Sequence, residues 1–281
     1  MSKWDLIITP NKSWIQFRLL EVWEYKDLLK IFIKRDFTTT YKQTLLGPLW
    51  LLIQPVITTF IFTIIFNKFA SIPTNETPPV LFYMSGIIAW HYFANCLNNT
   101  SDTFINNANI FGKVYFPRIV IPLSIIITNI FRFIIQFILF LSFYFYFLYQ
   151  GNQGIEPSPK TIILIPIMII IMAFMGMGIG IIISSLTTKY RDLRFLVGFG
   201  TQLLMYASPI IYPLALVPDK YRYFIILNPM TGIIEGFRNA FLGGDIFAIN
   251  MLFYPLFFSV TIFILGLLIF NRVEKNFIDI I

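Results

Sequence analysis

The long uncharged runs of this sequence constrain its fold more than any other feature. Between Lys42 and Lys68 the chain has 25 consecutive residues, 43–67, without a formally charged side chain. As an α-helix this run would be about 37 Å long, which exceeds the roughly 30 Å hydrocarbon core of a bilayer. The run therefore predicts a membrane-spanning helix.

Similar runs recur along the chain, and together they predict an all-α integral membrane protein. Hydrophobic residues make up 57% of the 281 residues, and charged residues make up only 12%. That charged fraction is about half that of an ordinary soluble domain. We predict six transmembrane helices, at residues 47–68, 80–100, 119–147, 162–187, 195–213 and 247–270. The ten-residue alternating segments of a transmembrane β-barrel do not occur in the sequence.

The basic residues predict the orientation of the chain in the membrane. An even number of spans places both termini on one side. Of the 21 Lys and Arg residues, Arg132 would lie within the membrane and the side opposite the termini would carry only Lys68, Lys160, Lys220, Arg222 and Arg238. Because basic residues concentrate on the cytoplasmic side, both termini should be cytoplasmic. Anionic lipid headgroups account for the net charge of +7, so no nucleic-acid partner is required.

Residues 1–42 are polar and charged, and we predict that they form a cytoplasmic amphipathic region. They lack the apolar core of a secretory signal, so the first span would direct the chain to the membrane. Within residues 21–35, one helical face collects Tyr25, Leu28, Leu29, Phe32 and Ile33. This pattern predicts an interfacial helix on the inner leaflet that breaks near Asp36, where a charge would fall on the apolar face. A soluble helix packed on a partner protein is the alternative.

Two of the predicted spans carry polar stripes at helical spacing. The second span has His91, Asn95, Asn98 and Asp102, and the third span has Ser124, Thr128, Arg132 and Gln136. Lipid satisfies neither stripe, so each should face protein or water. A hydrated path is the functional interpretation. Hydrogen bonding between helices is the structural interpretation, which we favour for the Asn and Thr residues.

Arg132 is an arginine within a predicted span, where an unpaired charge is costly. No carboxylate lies inside any of the uncharged runs to pair with it. Backbone carbonyls, the region of His91 and Asn95, or an anionic lipid group are the candidate partners. We expect a structural role for this side chain.

The fourth predicted span is marked by small residues. Gly176, Gly180 and Ser184 occur at four-residue spacing, with Gly178 between the first two. Small residues in this pattern allow another helix to approach closely, so we predict a packed helix interface.

The segment 214–245, between the last two predicted spans, is too polar to cross the membrane. Its apolar residues nevertheless recur along the segment. We predict short re-entrant helices that dip into the extracytoplasmic interface, because long connections in compact proteins are usually functional.

The residues offer little for covalent chemistry. The motifs GxxxxGK[ST], HExxH and GxSxG are absent, and the chain has one His and one Cys. A metal site, a Cys-His nucleophile pair and a paired-carboxylate hydrolase are therefore not expected. What remains is a transport or binding role rather than an enzyme.

Five strings, in order from residue 35 to the C-terminus, carry a resemblance to a known family. They are Arg35-Asp36-Phe37 followed by YKQTLLGPLWLLIQPVITTFIFTIIF from Tyr41, KVYFPR at 113–118, YRDLR at 190–194, LNPMTGIIEGFRNAFLGG at 227–244 and VEKNFIDII at 273–281. Together they resemble the ABC-2-type permeases that export polysaccharides, the O-antigen and teichoic-acid exporters.

The resemblance implies an ABC-2 transmembrane domain at residues 43–281 in the bacterial cytoplasmic (inner) membrane. Two copies of the chain would form the pore and two separate ATPase subunits would bind ATP and Mg, so this chain would bind no cofactor. The implied cargo is an O-antigen type polysaccharide on undecaprenyl diphosphate. A teichoic-acid or capsule exporter is the alternative within this class. A membrane-embedded sugar or acyl transferase is the alternative from another class, and it would need convergent His or carboxylate groups that the sequence lacks.

Three groups of candidate residues follow from the resemblance and from the chemistry of such a cargo. Aromatic rings stack on the C–H faces of sugars, so the channel-lining candidates are Trp50, Gln54, Phe195, Phe199, Gln202 and Tyr206. Arginine and lysine bind phosphate oxygens, so the lipid diphosphate candidates are Arg35, Lys42 and Arg118. The ATPase-coupling candidates are Asn107, Lys113, Tyr115, Tyr190, Arg191 and Asp192. Each group also has an alternative interpretation without a specific function. The first group could be ordinary packing residues, the second could be basic residues of the cytoplasmic side, and the third could be solvated loop ends.

Overall fold

The computed structural model describes residues 23–42, 44–74, 77–111, 113–114, 116–151, 154–190, 192–244 and 247–276, with side chains described up to residue 273. These residues form helices and short helical turns, and none of them lies in a strand. The α-helices are α1 (Lys26–Tyr41), α2 (Trp50–Phe62), α3 (Pro79–Ser101), α4 (Thr103–Phe111), α5 (Val120–Tyr149), α6 (Pro159–Ile162), α7 (Ile165–Thr187), α8 (Leu193–Tyr206), α9 (Asp219–Ile226), α10 (Pro229–Leu242) and α11 (Phe253–Asn276).

Within the described residues, five helical segments are long and apolar enough to cross a membrane. They are Gly47–Phe69, Pro79–Ser101, Val120–Tyr149, Ile165–Thr187 and Ile249–Val273. The first includes a 3₁₀ turn at Gly47–Leu49 before α2 and a π-helical turn at Thr63–Phe69 after it. These five segments agree with five of the six predicted spans.

The predicted span at 195–213 is not among these five segments. Helix α8 has 14 residues and ends at Tyr206, which gives it a length of only about 21 Å. Pro209 and Pro213 follow in a non-helical turn, and neither can donate the backbone hydrogen bond that would continue the helix.

Helix α3 is the central helix of the bundle. Every residue from Leu81 to Trp90 is buried, and α5 and α7 pack along it. Tyr92 of α3 contacts Phe133 of α5, and Asn99 donates a 3.3 Å hydrogen bond to Asn129, so α5 runs antiparallel to α3. The apolar runs of these helices therefore bury one another rather than facing lipid on all sides.

The small residues of α7 form the packed interface that the sequence predicts. A Cβ atom placed on Gly176 would lie 2.7 Å from the Cβ of Cys96 on α3. On the other face, a Cβ atom on Gly178 would lie 2.8 Å from the Cα of Phe263 on α11. Both distances are far below ordinary contact, so the absence of a side chain is what allows α7 to touch both neighbours.

The contacts of α7 also set the direction of its neighbours. Gly176 lies beside Cys96 and the Ser184 hydroxyl accepts a 3.1 Å bond from the N–H of Phe104, so α3 and α7 run parallel. Helix α11 runs parallel to α7 as well. Phe174 of α7 stacks on Phe263 of α11, and further along both helices Ile181 lies beside Gly266. We call the end of the bundle at which α3 and α7 terminate the proximal end, and the end at which they begin the distal end.

Helix α8 extends along α3 between these two ends. At its start, Arg194 forms a 3.0 Å ion pair with Asp102, just past the proximal end of α3. Beyond its last residue, Ile210 packs against Gly86 near the distal end. Asp102 and Gly86 are 16 residues apart, which corresponds to about 24 Å along a helix.

Helix α1 packs against α5 at the proximal end, and the predicted break near Asp36 is wrong. The helix continues without interruption to Tyr41. Phe32 is buried against Phe116, with ring centroids 5.7 Å apart, whereas Asp36 forms a 2.8 Å ion pair with Arg35. A charge on this face is tolerated because the surface it meets is polar.

Two short helices occupy the segment 214–245, as predicted. The side chain of Asn228 accepts a 3.0 Å bond from the N–H of Met230, which caps α10 at its N-terminus. Helix α10 is almost entirely buried, with Phe237 against Phe133 and Phe241 against Phe140 of α5. Helix α9, in contrast, has no buried residue.

Candidate functional site

The candidate channel residues on α8 share one uncovered face. Phe195, Phe199, Gln202 and Tyr206 occur at spacings of four, three and four, and all are exposed. The exposed fractions of the three aromatic side chains are 82%, 60% and 48% in chain order. Thr201 is the single buried residue of the helix. Helix α8 therefore presents an aromatic surface that none of the other described residues covers.

The two candidates on the first span are also on an uncovered face. Trp50, the first residue of α2, is 48% exposed, and Gln54 is exposed one turn later. The opposite face, with Leu51, Pro55 and Thr59, is buried. Helices α2 and α8 both contact α3.

The polar stripe of α3 is neither buried in the core nor fully exposed. His91, Asn95, Asn98 and Asp102 all have intermediate exposure. The Oδ1 atom of Asn98 is buried without a hydrogen-bond partner. A partly accessible stripe with an unsatisfied acceptor is consistent with the hydrated path.

The stripe of α5 is mostly used for hydrogen bonding within the protein. The Thr128 hydroxyl donates to the carbonyl of Ser124 at 2.8 Å, and the Ser124 hydroxyl donates to the carbonyl of Ile121. Gln136 donates to the carbonyl of Leu51 on α2 at 3.3 Å. All three side chains are buried, but only Gln136 forms the predicted bond between helices, because Ser124 and Thr128 bond within α5.

Arg132 has partners that the sequence did not indicate. One guanidinium nitrogen donates to the Thr40 hydroxyl of α1 at 3.2 Å, and the other to Asn129 Oδ1 at 3.4 Å. The guanidinium also lies 5.7 Å from the ring centre of Tyr41. Among the described residues these partners are neither backbone carbonyls nor His91 and Asn95, because α1 folds back over α5 and brings its own last turn to Arg132.

Of the lipid diphosphate candidates, Arg35 lies at the proximal end in a polar setting. It pairs with Asp36 and donates a 3.2 Å hydrogen bond to Asn107, a coupling candidate on α4. Lys42 is exposed just after α1. Arg118 is buried, with its guanidinium 5.3 Å from the ring centre of Phe111. The three candidates therefore differ in burial and in their partners.

The coupling candidates among the described residues lie in α4 or in loops at the proximal end. Asn107 is buried and anchors α4 to α1 through Arg35. Lys113, Tyr190 and Asp192 are exposed. Tyr115 and Arg191 lie outside the described residues.

A polar pocket of about 460 Å³ opens between α1, α3, α4 and α5. We call it the proximal pocket. It is lined by Arg35, Asp36, Thr39, Thr40, Asn99, Asp102, Asn106, Asn107, Ile125, Thr128, Asn129 and Arg132. It combines residues from the two polar stripes with the polar face of α1, which sequence reasoning had treated separately.

A second pocket, of about 410 Å³, lies at the distal end beside α10. Glu235 and Arg238 line it and form a 3.1 Å ion pair, and both side chains are buried. Arg238 also donates to the carbonyl of Ile210 at 2.8 Å and lies 3.6 Å from the ring centre of Phe82. Sequence reasoning placed Arg238 among exposed cations of the outer side. The i, i+3 spacing of Glu235 and Arg238 was the signal that would have indicated the pair.

Metal chemistry finds no support in the part of the chain that the structure describes. There, no group of three or more His, Cys, Asp or Glu side chains could hold a metal ion. The two pockets are lined mainly by amides, hydroxyls and opposite charges.

A multi-pass helical protein with an amphipathic N-terminal helix and an uncovered aromatic helix has the features of a transport permease. Residues 27–242 match the family described as ABC-2 type transporter. This match covers most of the 281 residues, and the chain belongs to that family. The resemblance carried by the five sequence strings is thereby confirmed.

Named relatives of the chain are permeases of polysaccharide export systems. Two O-antigen export system permease proteins, both called RfbA and both from Klebsiella pneumoniae, are 30% and 32% identical over 258 and 257 residues. Each alignment covers 91% of this chain and 95% of the relative. The capsule polysaccharide export inner-membrane protein CtrC of Neisseria meningitidis serogroup A is 20% identical over 259 residues, 89% of this chain and 92% of that protein.

Proposed function

We propose that the chain is the membrane-spanning permease subunit of an ABC exporter for lipid-linked polysaccharide, working as a homodimer with separate ATPase subunits. The observation that carries this proposal is the aromatic face of α8, which stays exposed in the described part of the chain although the helix lies along the central helix α3. Similarity to O-antigen export permeases over most of the chain supports a glycan as cargo.

We infer that the chain crosses the membrane six times, with α8 and the turn after it as the fifth crossing. Helices α7 and α11 run in the same direction, so the intervening chain has to return from the proximal to the distal end. Contacts of α8 with Asp102 and of Ile210 with Gly86 support this return. Helices α9 and α10 would then form a re-entrant hairpin at the distal side.

The proximal end is the cytoplasmic end in this proposal. The basic residues of α1, Lys113, Lys189 and Arg194 lie at that end, whereas Lys68 and Lys160 lie at the other. Both termini are then cytoplasmic in the inner membrane, and α1 lies along the inner leaflet.

The homodimer completes the channel in this proposal. Sugars carry apolar C–H faces that stack on aromatic rings, and a surface without strong charges lets a long glycan slide rather than bind tightly. Trp50 and Gln54 of α2, together with the aromatic residues and Gln202 of α8, would line the path between the two copies. The polar stripe of α3 would keep this path hydrated.

Replacing Phe199 and Tyr206 by Ala together should impair export. Each lost stacking surface is worth on the order of 1 kcal/mol, so the rate of glycan export should fall about tenfold. Surface glycan labelled over time in cells that carry the variant measures this rate. Phe145 and Tyr146 of α5 are the matched control pair, since they are 59% and 57% exposed on another helix. Equal export rates in the two double variants would show that the aromatic residues of α8 do not line the channel.

Energy would reach the channel through the proximal loops. Helix α4 and the exposed residues Lys113, Tyr190 and Asp192 lie at the end to which ATPase subunits would bind from the cytoplasm. The Arg194–Asp102 ion pair links this region to α3. Movement of these loops would therefore be transmitted to both α8 and the central helix.

Charge reversal in the Asp192→Lys variant should uncouple the complex. An opposite charge at a docking contact should lower glycan-stimulated ATP hydrolysis by about tenfold while the chain itself still folds, because the side chain is exposed. ATP hydrolysis by the reconstituted complex is the measurement. The Asp219→Lys variant reverses an exposed charge at the distal side and should leave hydrolysis unchanged. Full stimulation in Asp192→Lys would contradict the coupling role.

The alternative cargo is a capsule polysaccharide, which the similarity to CtrC favours. Deleting the chain from its host and analysing the surface glycans would decide between the two, because only the exported glycan would be lost.

A further inference from the structure

The charged residues that line the proximal pocket are two arginines and two aspartates, and one of the aspartates is neutralised by an arginine outside the lining. Of its charged lining residues, Arg35 pairs with Asp36 at 2.8 Å, and Asp102 pairs with Arg194 at 3.0 Å. Among the described residues, no carboxylate pairs with Arg132, whose hydrogen bonds go to Thr40 and Asn129. Its Nε atom is buried and has no hydrogen-bond partner. Arg132 as a whole is partly exposed, so a ligand that enters the pocket can reach its charge.

The rest of the lining is suited to an anion with several oxygen atoms. Asn99 and Asn106 contribute amide groups beside the two guanidinium groups, whereas the hydroxyls of Thr39 and Thr128 donate to backbone carbonyls of their own helices. Arginine forks bind phosphate oxygens in a bidentate manner, and neutral amides and hydroxyls fill the remaining positions. The acidic lining residues are already paired, so they do not repel such a ligand outright.

The position of the pocket indicates how the anion arrives. Arg132 lies one turn after Asn129, which bonds to Asn99 two residues before the end of α3, so the pocket opens near the proximal end. The last turn of α1 forms the pocket wall opposite it, through Thr40. A group held between an amphipathic helix and a spanning helix is close to lipid headgroups, so the anion would be carried on a lipid.

We propose that the proximal pocket binds the phosphate group of a lipid, with Arg132 as its unpaired cation and Arg35 as a second ligand. The identification of that lipid as the diphosphate carrier of the glycan depends on the proposed function. A phospholipid headgroup has the same phosphate chemistry and is the other source.

Binding to the purified full-length chain in detergent tests the proposal. The probes are a short polyprenyl diphosphate, short-chain phosphatidylglycerol and inorganic diphosphate, each followed by native mass spectrometry or isothermal titration. Removing the charge in the Arg132→Gln variant should weaken binding of the lipid probes by about tenfold or more, because charge-assisted bonds to phosphate are lost. Tighter binding of the polyprenyl diphosphate would identify the carrier lipid as the ligand, and tighter binding of phosphatidylglycerol a structural phospholipid.

Two control variants separate this role from a structural one. Lys34→Gln removes the same charge from the exposed side of α1 and should change binding less than twofold. Thr40→Val removes the bond between Arg132 and α1 but leaves the charge in place, so lipid binding should persist. Three results would overturn the proposal. The first is equal binding by Arg132→Gln and Lys34→Gln, and the second is an equal loss of binding in Arg132→Gln and Thr40→Val. The third is no binding of either lipid probe to the wild-type chain.

The proposed function is tested separately by glycan export in cells. Export by the wild-type chain together with binding that ignores Arg132 would reject the pocket and keep the exporter. Phosphate binding that depends on Arg132, in a chain that exports no glycan, would keep the pocket and reject the exporter.

Discussion

Substituting Gly180 by Leu should destroy the folded bundle. A Cβ atom at this position would lie 2.8 Å from the backbone carbonyl oxygen of Leu97 and equally close to the Cβ of Thr100. Backbone of the central helix cannot yield to a new side chain, so α7 would have to move away from α3. Overpacking of this kind costs about 3 kcal/mol or more. The expected result is a loss of monodisperse protein, or a fall of about 10 °C in the melting temperature, measured by size-exclusion chromatography after heating.

The matched control for this substitution lies on α8. A Cβ atom on Gly198 would have no neighbouring atom within 4 Å, so the same change to Leu should leave the melting temperature nearly unaltered. Both variants introduce the same side chain into a helix, which cancels any effect of helix propensity. Similar melting of the two variants would mean that α7 does not pack against α3 as described.

Removing Arg238 should destabilise the distal end almost as strongly. In the Arg238→Met variant, Glu235 would remain buried without its ion-pair partner, and the carbonyl of Ile210 would lose its donor. Breaking one side of a buried ion pair typically costs about 3–5 kcal/mol. The Arg238→Met variant should therefore unfold at a clearly lower temperature than the wild-type chain.

The companion variants show whether the pair itself is responsible. Adding Glu235→Gln to Arg238→Met should recover part of the lost stability, because no unpaired charge is then buried. Arg222 and Asp219 have the same i, i+3 spacing at 4.0 Å but lie on the surface, so Arg222→Met should have no measurable effect. A double variant less stable than Arg238→Met alone would contradict this explanation.

The sequence was sufficient to predict the spans whose signal is local. Runs of uncharged residues predicted five of the crossing segments to within a few residues, since a lipid environment demands about 20 apolar residues in succession. The small residues of α7 also predicted their interface, because close approach requires them wherever they occur. The short helices at 214–245 followed from polarity combined with recurring apolar residues.

What the sequence could not predict depends on tertiary contacts. The early end of the helix at 193–206 is an exception, because Pro209 and Pro213 follow it in a turn and are local signals that a count of uncharged residues ignores. The helix α1 does not break at Asp36, because Arg35 neutralises the carboxylate at the edge of a pocket made by other helices. One of the two partners of Arg132, Thr40, lies 92 positions earlier in the chain, a separation that no local pattern encodes.

The candidate site was partly predictable for the same reason. Helical spacing correctly put Phe195, Phe199, Gln202 and Tyr206 on one face, and the structure leaves this face exposed. Charge type alone could not distinguish Arg35, which lines a pocket, from Lys42 in solvent and Arg118 in the protein interior. The burial of each side chain and its contacts in the folded protein distinguish the three residues.

Photo-crosslinking at position 199 tests most directly whether glycan passes along α8. A photoreactive phenylalanine analogue would replace Phe199 in cells that make the polysaccharide, and the same analogue would replace Phe145 on α5 as the control. Irradiation should attach glycan to the chain at position 199 and not at position 145, as detected by a shift in mass on a gel. Glycan captured equally at both positions, or at neither while export continues, would contradict the proposed path.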